Sequence, residues 1–442
     1  MQKTTSEERL WHPMFHTTRR FYVLLAALML GVAWFAFAWI TQLRNGLVVT
    51  GMRDIHGGAP WGVYITNFIF FIGITHAGIA IASAIRLLKL KDYIPLARMA
   101  ELITIFSLMM AGVSIFADIG RPDRIFNMIR YYPSRVASSP LVWDITAISI
   151  YLIFAVTYLY VEMREDLAKL AQRGRLEWLY KRLLPAYEPG ERERIERIVW
   201  WASIFNFPVM VMVHTTVAWI FGLMVGRPGW YSSIMGPYYV MGAVLSGVAS
   251  VVVLAAIYRR IFGWQEYIKP IVFRGLGRFL SWISVFYIYF VLSEFMTVKY
   301  AGATAELKVS MAWSNLEFAW LYWLQIAGLV IAFAIFFINV VFPKTFRVGT
   351  TVFASALVVV TLWVTRFLIT VPALTRSYLP YPIGSYTPTW VEWSIVGGTF
   401  VTIALFFALF TKLFPIIPLT EMEEAEEKVA IPVTVERAEA QT

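Results

Sequence analysis

From Met1 onward the chain alternates between long apolar runs and short polar breaks. The apolar runs cover approximately 21–43, 61–87, 97–118, 142–162, 200–226, 238–262, 278–300, 314–342, 347–369 and 392–414, each closed by charge or by Pro/Gly clusters. An α-helix needs about 20 such residues to cross the hydrocarbon core of a bilayer. The pattern predicts an all-α integral membrane protein of about ten transmembrane helices. The first run is longer than a signal-peptide core and has no small-residue cleavage site after it, so it is expected to be a retained span.

The breaks divide the chain further. Residues 1–20 read as a polar N-tail, 21–60 as the first span with its loop, 61–226 as a first four-helix bundle, 238–369 as a second, 392–414 as the last span and 419–442 as a disordered acidic tail. Dense mixed charge at helical spacing marks 163–199 as an amphipathic connector inside the first bundle. Four spans return a chain to its starting side, so spans 2–5 and 6–9 are compatible with two parallel copies, each opening on a Pro-aromatic pair (Pro60–Trp61, Pro237–Tyr238). With both termini cytoplasmic, 27 of the 38 Lys and Arg residues fall on the inner side, which fixes the expected orientation.

Composition narrows the chemistry. Hydrophobic residues make up 59% of the 442 and charged residues 15%, against about 25% charge in soluble domains. The absence of cysteine removes disulfides, thiolate nucleophiles and iron–sulfur ligation by this chain. Five histidines leave little for metals, so no metal site is predicted, and redox centres are expected on partners. The net charge of +10 sits in the loops between spans and implies no nucleic-acid partner. Trp and Tyr near the span ends read first as interfacial anchors.

Ionisable groups at membrane depth are expensive and are therefore functional candidates. At 1.5 Å per residue His76 lies about 22 Å beyond Trp61 and His214 about 20 Å beyond Trp201, both near mid-membrane. Asp118 closes span 3 and is followed by Arg121 in the turn Asp118-Ile119-Gly120-Arg121-Pro122, where the arginine is expected to bias its charge. Glu294 and Arg366 fall in the outer third of their spans, where they can pair or carry protons. Tyr64 and Asn67 share a helix with His76 and can be core polar groups or ligand contacts. Three chemistries fit: a single b-type haem between His76 and His214, ion or solute transport, and quinone chemistry. The last needs an aromatic-lined slot open to lipid and titratable groups; His76 and Asp118 supply acid/base groups, and Trp61 and Tyr64 a lining.

The runs WGVYITNFIFFIGITHAG (61–78) and FADIGRPDRIF (116–126) resemble the NrfD/polysulfide-reductase membrane-subunit family, specifically its ten-span branch with the large membrane subunits of alternative complex III. FPVMVMVHTTVAWIFG (207–222), PGWYSSIMGPYYVMGAVLSG (228–247), SEFMTVKYAG (293–302) and PTWVEWSIVGG (388–398) extend the likeness from span 2 to span 10. The resemblance implies a haem-free membrane anchor that exchanges electrons and protons with quinone, of menaquinone type, in a prokaryotic cell membrane. It implies an iron–sulfur partner on the outer face, with a molybdopterin or multihaem subunit, and a quinone site in the first bundle. Carried over to this sequence, the site residues are Trp61, Tyr64, Asn67, His76, Asp118, Arg121 and His214, with His76 and Asp118 as proton donors and acceptors. Asp118 stands where related sequences can have histidine. The basic, aromatic loop 119–141 is the expected docking surface.

Overall fold

The computed structural model describes residues 6–55, 59–173, 176–184, 187–378, 382–419 and 422, and these form helices without strands. In chain order they are α1 (Ser6–Phe15), α2 (Arg19–Asn45), α3 (Val63–Leu87), α4 (Ile94–Asp118), α5 (Phe126–Arg130), α6 (Tyr132–Arg135), α7 (Pro140–Arg173), α8 (Glu177–Leu183), α9 (Arg192–Gly222), α10 (Met235–Ile261), α11 (Pro270–Ala301), α12 (Thr304–Ser314), α13 (Ala319–Val341), α14 (Val348–Thr375) and α15 (Trp390–Leu413). Ten of them are long and apolar enough to cross a membrane: α2, α3, α4, α7, α9, α10, α11, α13, α14 and α15. The chain is a multi-pass membrane protein. Most of the acidic tail expected over 419–442 lies outside the described residues.

Helix α3 occupies the centre. It is apolar on every face from Val63 to Ile85 apart from four hydroxyls, one amide and one imidazole, the signature of a helix with protein on all sides. Its apolar window is 88% buried, whereas that of α2 is 11% buried. Helices α4, α9, α10, α14 and α15 all pack against α3, while α2 leans mainly on α15. The α3–α4 seam is closest at Gly78, where an added Cβ would overlap the Ala100 carbonyl and the Thr104 hydroxyl.

The two ends of the bundle differ. At the connector end, where α7 runs into α8 and α9, buried ion pairs replace water. Arg98 donates to Asp166 at 2.6 Å and to the Pro415 carbonyl at 3.0 Å, and Arg86 pairs with Glu162 at 2.5 Å. Glu162 and Asp166 stand one turn apart on α7, so α7 stays helical to Arg173 and buries residues that read in the sequence as the start of a soluble connector. Similarly, α11 starts at Pro270 rather than 278, and the α11–α13 turn holds the short helix α12. The opposite, distal end carries α5, α6, α12 and the strap between α14 and α15.

Candidate functional site

Two polar clusters lie on different faces of α3. The distal one gathers around Glu392, in the first turn of α15. Its Oε2 accepts from the amides of Gly51 (2.7 Å) and Thr389 (2.9 Å), and its Oε1 accepts from the Tyr386 hydroxyl (2.6 Å). The Tyr386 oxygen accepts in turn from the Val63 amide at the start of α3 (2.8 Å). Burial and the adjacent carboxylate push the Tyr386 hydroxyl well above its ordinary pKa, so it stays a donor. Asp118 lies close enough to feel the Glu392 charge; it is buried, and its Oδ1 makes no hydrogen bond. Beside it Tyr64 donates to Gln42 at 2.5 Å, and Gln42 donates to the Ala117 carbonyl at 2.7 Å. Asn67 donates to Ser114 (3.1 Å) and Thr399 (3.0 Å) and accepts from the Trp363 indole (3.4 Å).

The second cluster lies deeper, between α3, α9, α10 and α14. The rings of His76 and His214 meet edge to face with centroids 4.1 Å apart, and both side chains are fully buried. The Arg366 guanidinium sits over the Tyr239 ring at 4.3 Å, beside the pair. It donates to the Tyr239 carbonyl at 3.5 Å, and no carboxylate pairs with it among the described residues. Gly242 makes its room: a Cβ there would lie 2.9 Å from Arg366 Nη2. Tyr238 and Tyr287 share a hydrogen bond of 3.1 Å next to it.

The sequence-derived candidates thus divide. Tyr64, Asn67 and Asp118 come together, as do His76, His214 and Arg366. From Asn67 to His76 is nine residues, about 13 Å along α3 and half a revolution around it, so the two sets do not form one cleft. Trp61 joins neither: it stacks on Trp230 at 5.7 Å at the α9–α10 end. Arg121 does not face Asp118. Gly120, with φ +67°, turns the chain outward, and Arg121 forms a bidentate pair with Asp123 at 2.8 and 3.0 Å, holding the Asp123 carboxyl below its usual range. Glu294 does not meet Arg366; it accepts from Ser232 at 2.8 Å. The alternative of a haem held between His76 and His214 does not fit this arrangement, because two imidazoles in edge contact leave no space for a porphyrin plane between them.

A cavity of about 510 Å³ opens beneath the distal loop, lined by Ile119, Met128, Tyr131, Val142 and Ile145 together with Arg124 and Arg135. That falls within the ~300–1,000 Å³ of typical small-molecule sites. Asp118 precedes one lining residue, and Asp144 lies between two others, buried with Oδ1 unpartnered. The sequence reading missed Asp144, although a lone acid in the apolar run LVWDITAISIY meets the same criterion as Asp118. It also missed Gln42, Tyr386 and Glu392, and the connector-end acids Glu101, Glu162 and Asp166. Glu101 and Glu162 lie against each other in the core. Their signal is Arg98 and Glu101 at i, i+3 on α4, with two acids, Glu162 and Asp166, at i, i+4 on α7.

Comparison with known proteins gives the site a context. Residues 49–377 match the family described as "Polysulphide reductase, NrfD". A putative dimethyl sulfoxide reductase membrane subunit of Halobacterium salinarum is 30% identical over 271 residues, 61% of this chain and 58% of that protein. The chain therefore spans less than two thirds of that relative's length. The "Hdr-like menaquinol oxidoreductase integral membrane subunit" of Archaeoglobus fulgidus is 24% identical over 86% of this chain and 90% of its own length. The "menaquinone reductase, integral membrane subunit" of Nitratidesulfovibrio vulgaris is 23% identical over 92% and 93%. These relatives are named as membrane subunits of oxidoreductase systems.

Proposed function

The chain belongs to the NrfD polysulphide reductase family, and from that premise we infer that it is the quinone-exchanging membrane subunit of a respiratory oxidoreductase complex. The observation that carries this reading is the distal cavity under the loop 122–139, with apolar walls that include Ile119 and Ile145, each next in sequence to a buried acid, Asp118 and Asp144, although neither acid is itself a lining residue. A quinol gives up two protons and two electrons. The protons need titratable groups beside the ring, and on this reading the electrons pass to a centre on another subunit, since the chain has no cysteine to ligate an iron–sulfur cluster. Asp118 and Asp144 are the groups that take or give the protons. Tyr131 and Met128 wall the ring, and Asn127 with Ser138 and Ser139 offer hydrogen bonds to its oxygens. The names of two full-length relatives favour menaquinone as the carrier.

The partner reading rests on the surface above this cavity. Phe126 is 72% exposed and Ile129 69%, flanked by Arg121, Arg124, Arg130 and Arg135. An exposed apolar patch rimmed by charge is what a docking face requires. An iron–sulfur subunit seated there would bring its nearest cluster close to the cavity, with a molybdopterin or multihaem subunit beyond. The bias of 27 of 38 basic residues toward the side read from the sequence as inner supports placing both termini in the cytoplasm of a prokaryotic cell. His76, His214 and Arg366 would handle protons between the two halves, with Glu294 and Ser232 nearer the distal surface.

The test is quinol oxidation, or quinone reduction, by the purified complex with Asp118→Asn or Asp144→Asn. Loss of a positioned general acid or base lowers turnover about 10²-fold or more, with quinone affinity retained. Wild-type turnover in both variants would overturn the site.

A further inference from the structure

A second and larger cavity, about 1520 Å³, opens at the connector end between α15 with α2 on one side and α10 with α14 on the other, over a floor of α3 and α4. Its walls are Phe70, Phe71, Phe400, Ile403 and Phe407, and its mouth is ringed by Arg20, Arg260 and Lys412 with His12 and His16. The geometry points to a binding site for one anionic phospholipid, its phosphate at this cationic rim and its acyl chains in the groove. This does not depend on the quinone reading or on which side of the membrane the connector end faces.

Length, charge and chemistry agree. From Phe400 to Lys412 the groove follows α15 for twelve residues, about 18 Å. One leaflet of a ~30 Å hydrocarbon core is about 15 Å deep. The groove therefore runs from one interface to the midplane and stops, the reach of an acyl chain. Its volume exceeds the ~300–1,000 Å³ of a small-molecule pocket. Below the rim, the inner lining residues Ser107 and Ser250 offer hydroxyls, and no carboxyl, imidazole or amide lines that deep part, so it suits alkyl chains and lacks groups for proton exchange. At the mouth Arg20 and Arg260 are exposed, and neither pairs with a carboxylate among the described residues. Glu266 is the single carboxylate among the described lining residues, set against those two arginines and Lys412. Lys412 donates to the carbonyls of Pro13 (2.6 Å) and His16 (2.7 Å), which holds α1 across the opening and fixes a cation there. Basic pockets between transmembrane helices at an interface are the sites that collect anionic headgroups.

The experiment uses the intact complex, stripped of lipid in detergent and titrated with dioleoyl phosphatidylglycerol or dioleoyl phosphatidylcholine, with bound lipid counted by native mass spectrometry. The proposal expects tight uptake of one phosphatidylglycerol and weak uptake of phosphatidylcholine. Each arginine near a membrane surface contributes about fivefold to anionic-lipid binding, so the Arg20→Gln, Arg260→Gln pair should weaken phosphatidylglycerol about thirtyfold and leave phosphatidylcholine unchanged. Ala404→Trp, filling the groove and leaving the rim intact, should abolish uptake of the single lipid. Equal binding of the two lipids, an unchanged phosphatidylglycerol affinity in the arginine pair, or one-for-one displacement of the lipid by menaquinone would overturn it.

Discussion

Replacing Glu392 by alanine tests how the distal end is held together. The side chain is completely buried and accepts from three donors: the Gly51 and Thr389 amides and the Tyr386 hydroxyl. Through Tyr386 it also fixes the Val63 amide, so one carboxylate joins the 47–54 segment, the start of α3, the strap and its own helix. Each buried donor left without a partner costs about 1–3 kcal/mol, and the three share one acceptor, so the sum is not fully additive. We expect Glu392→Ala to lose about 4 kcal/mol and Glu392→Gln, which turns a donor toward donors at one oxygen only, about 2 kcal/mol. Equilibrium unfolding in mixed micelles measures the loss. Hydrogen exchange at Gly51 and Val63 reports whether it is local. A Glu392→Ala protein within about 1 kcal/mol of the wild type, with both amides still protected, would show that this carboxylate does not hold the distal end together.

Further outcomes follow from particular contacts. Gly242→Ala puts a methyl group 2.9 Å from Arg366 Nη2 and 3.0 Å from Tyr287 Cε2, so the guanidinium must shift; unfolding should register a loss of about 1–3 kcal/mol. Gly398→Leu drives a side chain into Phe35 at the α2–α15 seam, and cross-links between these two helices should be lost while those between α3 and α4 persist. Glu317, outside the spans, is half-exposed and accepts from Arg376 at 2.6 and 2.9 Å, which holds its carboxyl below the usual range. A depressed carboxyl stabilises the fold above its unfolded pKa of about 4.3 and loses that contribution as pH falls through the folded value. Glu317→Gln should therefore cost up to about 1 kcal/mol at pH 7 and progressively less as the pH falls through the depressed folded value, a narrowing that unfolding at neutral and at acid pH measures.

The spans were legible because hydrocarbon imposes one rule on every residue of a crossing helix, and a linear string displays that rule directly. Helix ends were less so. The residues after 162 look like a water-exposed connector, yet Glu162 and Asp166 are neutralised by Arg86 and Arg98 from two other helices, and linear charge density contains nothing of those partners. The pairing of His76 with His214 could be anticipated from depth alone, since each was measured from its own interface. Proximity along the chain suggests Asp118 with Arg121 and depth suggests Glu294 with Arg366, but Arg121 turns to Asp123 and Glu294 to Ser232. A single left-handed residue, Gly120, sends Arg121 outward. Glu392 stands at N3 of α15 and closes a capping box begun by Thr389, where an acid in the sequence needs no explanation beyond the helix start.

The central placement of α3 also constrains how the protein can move. A helix enclosed by five others has no lipid to yield into, and close-packed interiors transmit displacement rather than absorb it. Asn67 on one side and His76 on the other are carried by the same rigid rod, so a tilt at either one arrives at its counterpart about 13 Å away without any hydrogen-bonded chain between them. The two polar groups are linked mechanically even though they share no contact.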